Sequence, residues 1–184
     1  MSNIEILVKT DKKELFEILR DTSIGFLDLR MADCSSLASE ILHTLNKVTK
    51  LHLRGTYTGR CDLKLPASIQ SITLQNAECS SEWLCSFFIT LSEVHHQVDC
   101  TMFDFLVKTS DTESGIERDI TVIRSELLSC DLSHVKLNVE YNSIIPFELV
   151  RGTNINSLLL TADDDASLDL GTQSSFPGNS HDTF

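Results

Sequence analysis

A thiol and two imidazoles lie close together in the sequence, where Cys100 follows His95 and His96 within five residues. A cysteine nucleophile needs an imidazole within hydrogen-bond distance to accept its proton, and proximity along the chain does not provide that distance. The simpler interpretation places the two histidines at the C-terminus of a helix, where positive charge is favourable, and buries Cys100 in a strand. We therefore expect no enzymatic activity, and a Cys–His hydrolase is the least favoured alternative.

Two further groups contain residue types that bind metal ions. Cys79 and Cys85 could join the two histidines in a zinc site, but neither pair has the spacing of a usual zinc motif. The acidic run Asp163–Asp165 lacks the alternating pattern of a calcium loop and predicts a solvated acidic segment. We expect neither a metal nor a cofactor.

The charge balance excludes several classes of partner. The chain has 184 residues, with 27 acidic and 15 basic side chains and a net charge of −12. This charge disfavours both nucleic acids and anionic membranes. No apolar run approaches the ~20 residues of a membrane span, and the N-terminus lacks the features of a signal peptide. Six cysteines without an export signal predict reduced, mostly buried thiols. The sequence predicts a soluble cytoplasmic protein.

An internal duplication organises the elements that would position such side chains. Residues 1–33 align without a gap on residues 132–164, at an offset of 131, with ten identities. Average composition would give only about two identities by chance. We therefore expect a 131-residue unit followed, from residue 132, by a second copy that is truncated.

A shorter period lies within this unit. Pairs of apolar residues separated by one residue predict short strands that bury both side chains on one face. Five such strands per unit give a repeat of about 26 residues, inside the range of leucine-rich repeats. We expect the strands to lie parallel in one sheet, with helices on the other side. The predicted strands are 4–8, 26–30, 50–54, 71–75, 135–139 and 157–161, with a less regular candidate at 98–105.

The segments between the strands predict helices and loops. Serine pairs at 35–36 and 80–81 follow Cys34 and Cys79 and are suited to cap a helix, with Glu40 or Glu82 in its first turn. Helical spacing of apolar residues is present at 12–20, 37–48, 84–91 and 144–151. The segment 55–66 has two glycines and a proline and predicts a loop, residues 108–117 predict a surface insertion, and residues 171–184 predict a disordered tail.

Two phrases resemble the ribonuclease-inhibitor-like leucine-rich repeats of NACHT-domain, NOD-like receptors. They are Phe-Leu-Asp-Leu-Arg-Met-Ala-Asp-Cys-Ser-Ser-Leu-Ala at 26–38 and Val-Thr-Lys-Leu-His-Leu-Arg at 48–54. The resemblance implies an α/β leucine-rich-repeat solenoid over residues 1–170, with parallel strands on the concave face and helices or loops on the convex face. It also implies a noncatalytic, ligand-sensing module of innate immunity. The nucleotide-binding motif of such receptors, Gly-x-x-x-x-Gly-Lys-Ser/Thr, does not occur here.

In a solenoid of this kind, the residues between the buried leucines point outward from the concave face. We expect this surface to bind an acidic protein partner, because it is rich in basic residues although the protein is acidic. Arg30 and Arg54 occupy equivalent positions on consecutive strands, close enough to share one acidic ligand. The alternative is a structural spacer, or a nonfunctional fragment of a longer receptor, whose charged sheet surface is only solvated. The predicted partner-binding residues are Asp28, Arg30, Lys50, His52, Arg54, Thr73 and Gln75.

Overall fold

The computed structural model describes residues 4–8, 24–33, 42, 45, 47–108, 121, 124–125, 127–140 and 152–161. Several predictions lie outside these residues. They are the helices at 12–20 and 144–151, most of the helix at 37–48, the capping serines at 35–36 with Cys34 and Glu40, the insertion after Lys108, the acidic run 163–165 and the tail 171–184.

The described residues form an α/β structure built on an all-parallel sheet. Its strands follow one another in chain order, so each strand pairs with the next one along the sequence. Every predicted strand is present, including the less regular one at 98–105, and each adjacent pair is parallel, which confirms the predicted parallel arrangement. The described strands are β1 (Ile4–Val8), β2 (Ile24–Asp33), β3 (Lys50–Tyr57), β4 (Ser71–Ser80), β5 (Val98–Lys108), β6 (Val135–Glu140) and β7 (Ser157–Thr161).

The two halves of the sequence alignment pair their strands in the same way. Ile6 of β1 pairs with Leu27 of β2. The residues 131 positions later, Leu137 and Leu158, pair with each other in β6 and β7. The register of the first strand pair is thus repeated in the last.

One face of the sheet carries two rows of apolar side chains that run across the strands. Adjacent strands place these residues in register, so that each row is continuous from β2 to β6. The predicted burial of the apolar pairs on β2, β3, β4 and β6 is confirmed, since no residue of the two rows is more than 3% exposed, but the prediction is wrong for Leu158 of β7, which is 36% exposed. The first row is Leu27, Leu51, Ile72, Cys100 and Leu137, and the second is Leu29, Leu53, Leu74, Met102 and Val139.

Strands β4 and β5 extend beyond their predicted ends because each contains a kink. Asn76 and Asp104 have positive φ angles of 47° and 49°. They lie at matching positions, since the residues on either side of them pair with each other. Between the pairs Leu53–Leu74 and Gly55–Ala77, β4 contains one residue more than β3. The register between the two strands therefore shifts before Gly55, whose φ is 108°. Cys79 therefore lies near the end of β4, directly before Ser80 at the junction with the helix.

The helix α1 (Ser81–Ser92) follows β4 and covers the apolar face. Ser80 is its N-cap, and the Ser80 hydroxyl accepts a 3.2 Å hydrogen bond from the backbone N–H of Trp83, as predicted for this serine pair. Glu82 lies in the first turn, where the helix dipole favours an acidic residue. Trp83 stacks on Phe87 at 5.1 Å between ring centroids, and both rings are buried in the core.

The loop predicted at 55–66 begins only after Tyr57, because residues 55–57 belong to β3, and residues 58–70 form an irregular loop without a helix. The backbone N–H of Cys61 donates a 2.6 Å hydrogen bond to the Oγ of Ser86 in α1. Tyr57, at the end of β3, packs against Trp83 with 4.6 Å between ring centroids. The loop and α1 thus cover neighbouring parts of the same apolar face.

Candidate functional site

The candidate site is the face of the sheet opposite the two apolar rows, which we call the polar face. Its central row runs in register across five strands, and the members of such a row lie about 4.8 Å apart. Because side chains alternate along a strand, all seven predicted partner-binding residues fall on this face. The central row is Asp28, His52, Thr73, Thr101 and Asn138.

The seven residues differ in their exposure to solvent. Lys50 and Arg30 are exposed, while His52, Arg54 and Gln75 are partly exposed. The expectation that the whole set is exposed is wrong for Asp28 and Thr73, which are only 3% and 8% exposed. Thr73 is short and lies between His52 and Thr101 on adjacent strands, so its neighbours cover it.

Asp28 is buried because two arginines surround its carboxylate. The Nε atom of Arg30 donates a 3.0 Å hydrogen bond to Oδ2 of Asp28. The Nε atom of Arg54 lies 3.5 Å from Oδ1 of the same carboxylate. A buried carboxylate is strongly disfavoured without such positive partners. The acidic group shared by the two arginines is thus supplied by this chain itself.

The pairing of Arg30 with Arg54 is as the sequence predicts. The two residues are direct neighbours on β2 and β3. The sequence analysis does not predict that the carboxylate of Asp28 pairs with both arginines, although Asp28 lies two residues before Arg30 on the same face of the strand. Residues two apart on a strand share a face, but that periodicity does not show whether their side chains turn toward each other.

The polar face changes in character from β2 to β7. At the β2–β3 end, Phe26 contacts His52 edge to face, with 4.6 Å between ring centroids, and Lys50 is the strand neighbour of Phe26. The middle strands contribute uncharged threonine and asparagine to the central row. At the far end, Leu159 is 55% exposed. A partner that covers the whole face would meet the arginine pair and Lys50 first, then the uncharged central row with Asp99 and Lys136 beside it, and finally the exposed Leu159.

The candidate nucleophile Cys100 lies in the first apolar row and is fully buried. Burial raises the pKa of its thiol to about 12, which disfavours the reactive thiolate. α1 ends at Ser92, so His95 and His96 lie beyond the helix and not at its C-terminus as predicted. The Nε2 atom of His96 hydrogen-bonds to the carbonyl of Ile69, a contact that supports a structural role for this imidazole.

The remaining described cysteines are also free thiols. Cys61, Cys79 and Cys85 are buried and Cys130 is half-buried, in agreement with the predicted buried thiols. Burial raises the pKa of Cys61 to about 11, and it also raises the pKa of Cys79. Such thiols behave as small apolar residues and react slowly.

The part of the chain that the structure describes shows neither a grouping of metal ligands nor a membrane-spanning helix. No three His, Cys, Asp or Glu side chains within it are grouped closely enough to hold a metal ion. No helix among the same residues has the length and apolar character needed to cross a membrane.

A second surface feature lies on the helix side of the sheet. Two adjoining cavities of about 320 and 460 Å³ separate the loop at 60–67 from the second half of α1. Leu65 and Val94 are partly buried there, and Lys64 and Glu93 both line the groove. Their charges oppose each other, so the groove has no dominant sign that would select a charged ligand.

Comparison of the chain with protein-family models, with curated proteins and with solved structures finds no match.

Proposed function

We propose that this chain is a leucine-rich-repeat solenoid whose polar face is the concave surface, and that it acts as a noncatalytic protein-recognition module. The observation that carries the proposal is the regular parallel register of β2 to β6, which repeats one core pair and one outward residue on every strand. Stacked repeats of this kind produce an extended surface suited to binding another protein.

The distribution of the helix and loop supports this choice of surface. α1 and the loop at 58–70 lie on the apolar side of the sheet. Side chains of the polar face, such as Lys50 and Thr101, remain exposed or partly exposed. A face of this kind can contact a partner without rearrangement of the core.

The basic end of the polar face favours an acidic protein partner. Arg30 and Arg54 lie on either side of a single carboxylate, and Lys50 lies on the same face of β3, in a chain whose net charge is −12. Complementary charge accelerates association and orients the two partners. The same net charge supports a protein partner over a nucleic acid or an anionic membrane.

The resemblance to the repeats of NACHT-domain, NOD-like receptors gives this proposal its specific form. The chain would sense a ligand in the cytoplasm as the repeat region of an innate immune receptor. The free, buried cysteines are compatible with a reducing compartment. We propose no catalytic role, because a thiol with a pKa raised to about 12 is a poor nucleophile.

One observation favours the alternative, a structural spacer. Asp28 already contacts both arginines, so part of their charge is neutralised within the chain. A sheet surface that only needs to remain hydrated would be built in the same way.

A pair of variants distinguishes a protein-recognition module from a structural spacer. Thr101→Arg places a bulky side chain at the centre of the polar face, and Ala67→Arg adds the same side chain to the exposed loop on the helix side. Both purified variants are first checked for folding by circular dichroism. Proteins captured from a cell extract are then quantified for each variant and for the wild type.

Recognition through the polar face predicts that partners are lost with Thr101→Arg and kept with Ala67→Arg. Equal capture by all three proteins would instead support the spacer. The further replacement of Arg30 and Arg54 by glutamate tests the acidic character of the partner, because reversed charge should repel an acidic partner while leaving an uncharged one bound.

A further inference from the structure

Arg30, Asp28 and Arg54 form a compact cluster on the polar face, which we call the arginine clamp. The Asp28 side chain is 5% exposed, whereas the side chains of Arg30 and Arg54 are 41% and 23% exposed. The carboxylate thus lies below the two guanidinium groups, which extend toward solvent. This layered arrangement is more than a surface ion pair, because its negative member is inaccessible to a ligand.

The contacts within the clamp fix the orientation of Arg30 through a hydrogen bond and hold Arg54 beside the same carboxylate through a longer ion pair. Asp28 is approached by the Nε atom of Arg30 at 3.0 Å and by that of Arg54 at 3.5 Å. A guanidinium is planar and has further N–H donors on its terminal nitrogens, so holding Nε in place sets the direction of the whole group. For Arg30, which is well exposed, these terminal donors are suited to an incoming oxyanion.

The charges of the clamp do not cancel. Asp28 offers one negative charge to two guanidinium groups, and Lys50 on the same face adds another positive charge. Two arginines at the same register of adjacent strands lie about 4.8 Å apart at the backbone. A second oxyanion above them would accept charge-assisted hydrogen bonds from the exposed guanidinium group of Arg30.

We infer that the arginine clamp binds a single oxyanion of a protein partner, either a carboxylate or a phosphoryl group, and that Asp28 is the residue that positions the two arginines. The inference rests on the proposed function, since it assigns the chemistry of one contact within the recognition surface. Asp28 is therefore not part of the ligand-contacting surface, although its negative charge is essential to the arrangement of that surface.

The variant Asp28→Asn separates positioning from simple charge attraction. This change removes one negative charge, so a purely electrostatic surface would bind an anion more tightly. Loss of the carboxylate also releases the two guanidinium groups, so a positioned clamp binds more weakly. We expect Asp28→Asn to lower the affinity for an oxyanion by about tenfold, despite the gain in positive charge.

Two peptide probes identify the source of the oxyanion. The full chain is titrated at low salt with a ten-residue peptide containing glutamates and with a matched peptide containing one phosphoserine, and binding is followed by calorimetry. Preference for the first peptide assigns a carboxylate ligand, and preference for the second assigns a phosphoryl group. Failure of the wild type to bind either peptide at millimolar concentration overturns the clamp.

Arg30→Lys is the second variant and keeps the test valid if Asp28→Asn does not fold. It keeps the positive charge at an exposed position but removes the planar guanidinium, and we expect a loss of affinity of about fivefold or more. Lys50→Gln is the control, because it removes a positive charge from the same face without a contact to Asp28. Its effect should be smaller than that of Arg30→Lys.

Tighter or unchanged binding by folded Asp28→Asn, or unchanged binding by Arg30→Lys, overturns the inference. Neither result would affect the proposed function, which depends on the capture of partners by Thr101→Arg and Ala67→Arg. If Thr101→Arg loses its captured partners and the wild type binds neither peptide, the polar face is a recognition surface but the arginine clamp does not bind an oxyanion. Equal capture by all variants would instead remove the recognition surface itself.

Discussion

The backbone N–H of Cys61 donates a hydrogen bond to the Oγ of Ser86, and this 2.6 Å contact joins the loop after β3 to the helix after β4. The Ser86 hydroxyl lies within hydrogen-bond distance of the carbonyls of Glu82 and Trp83, at 2.9 and 3.0 Å. It can therefore accept from the loop while donating within its own helix. The loop lacks a helical ladder, so its buried amides depend on partners of this kind.

Replacement of Ser86 by alanine should destabilise the protein by about 1–3 kcal/mol, because the buried N–H of Cys61 would lose its acceptor. Urea denaturation measures the change. Ser92→Ala is the matched control, since the Ser92 hydroxyl donates to Ile89 within the same helix. Equal effects of the two substitutions would show that the contact between loop and helix contributes nothing specific.

Leu53→Ala should cost about 2–5 kcal/mol, as is typical for large-to-small changes in a core. Leu53 is fully buried between Leu29 and Leu74 of the second apolar row. Leu106→Ala removes the same atoms from a side chain that is 56% exposed, and it should cost far less. The free energies of unfolding of both variants provide the test, and similar losses would contradict the placement of Leu53 in a continuous core.

Asn76→Val should cost about 1–2 kcal/mol, although Asn76 is exposed, because a β-branched residue is strained at a φ of 47°. Asn76→Gly should leave stability within about 0.5 kcal/mol of the wild type, since glycine adopts this conformation without strain. Thermal unfolding of both variants distinguishes backbone strain from packing. A valine variant as stable as the glycine variant would mean that the kink is not required.

The kink at Asn76, and the matching kink at Asp104, explain why the predicted ends of β4 and β5 are too early. Up to Leu74 the buried apolar residues alternate with polar ones, so a period of two identifies both the strand and its apolar face. After Leu74 the next buried residue is Ala77, and after Met102 it is Phe105. The interval of three breaks the period, although both strands continue beyond it. Alternation alone therefore predicted strands that are too short.

Some features of the candidate site can likewise be predicted from the sequence, and others cannot. The register of Arg30 and Arg54 follows from the repeat spacing, and the structure confirms that they are strand neighbours. The burial of Asp28 does not follow, because it depends on the rotamers of both arginines and not on the positions of their Cα atoms. Sequence periodicity determines which residues share a face, while side-chain contacts determine which of them a partner can reach.

The buried thiols should cause the protein to lose stability at alkaline pH. The folded state raises the pKa of Cys100 from 9.0 to about 12 and that of Cys61 to about 11, chiefly because burial disfavours the thiolate. The folded protein thus holds these protons more tightly than the unfolded chain does. Its stability should be fully retained below pH 9 and should fall as the pH rises from 9 toward 12.

The expected slope is up to about 1.4 kcal/mol per pH unit for each such thiol. Denaturant unfolding of the wild type and of Cys100→Ala at intervals from pH 8 to pH 11 measures it. The variant will be less stable at pH 8, because it leaves a cavity, but its stability should decline less steeply above pH 9. The difference in slope is the informative quantity, since lysine and tyrosine side chains also titrate in this range and affect both proteins equally. Parallel curves for the two proteins would show that the thiol of Cys100 does not contribute to alkaline unfolding.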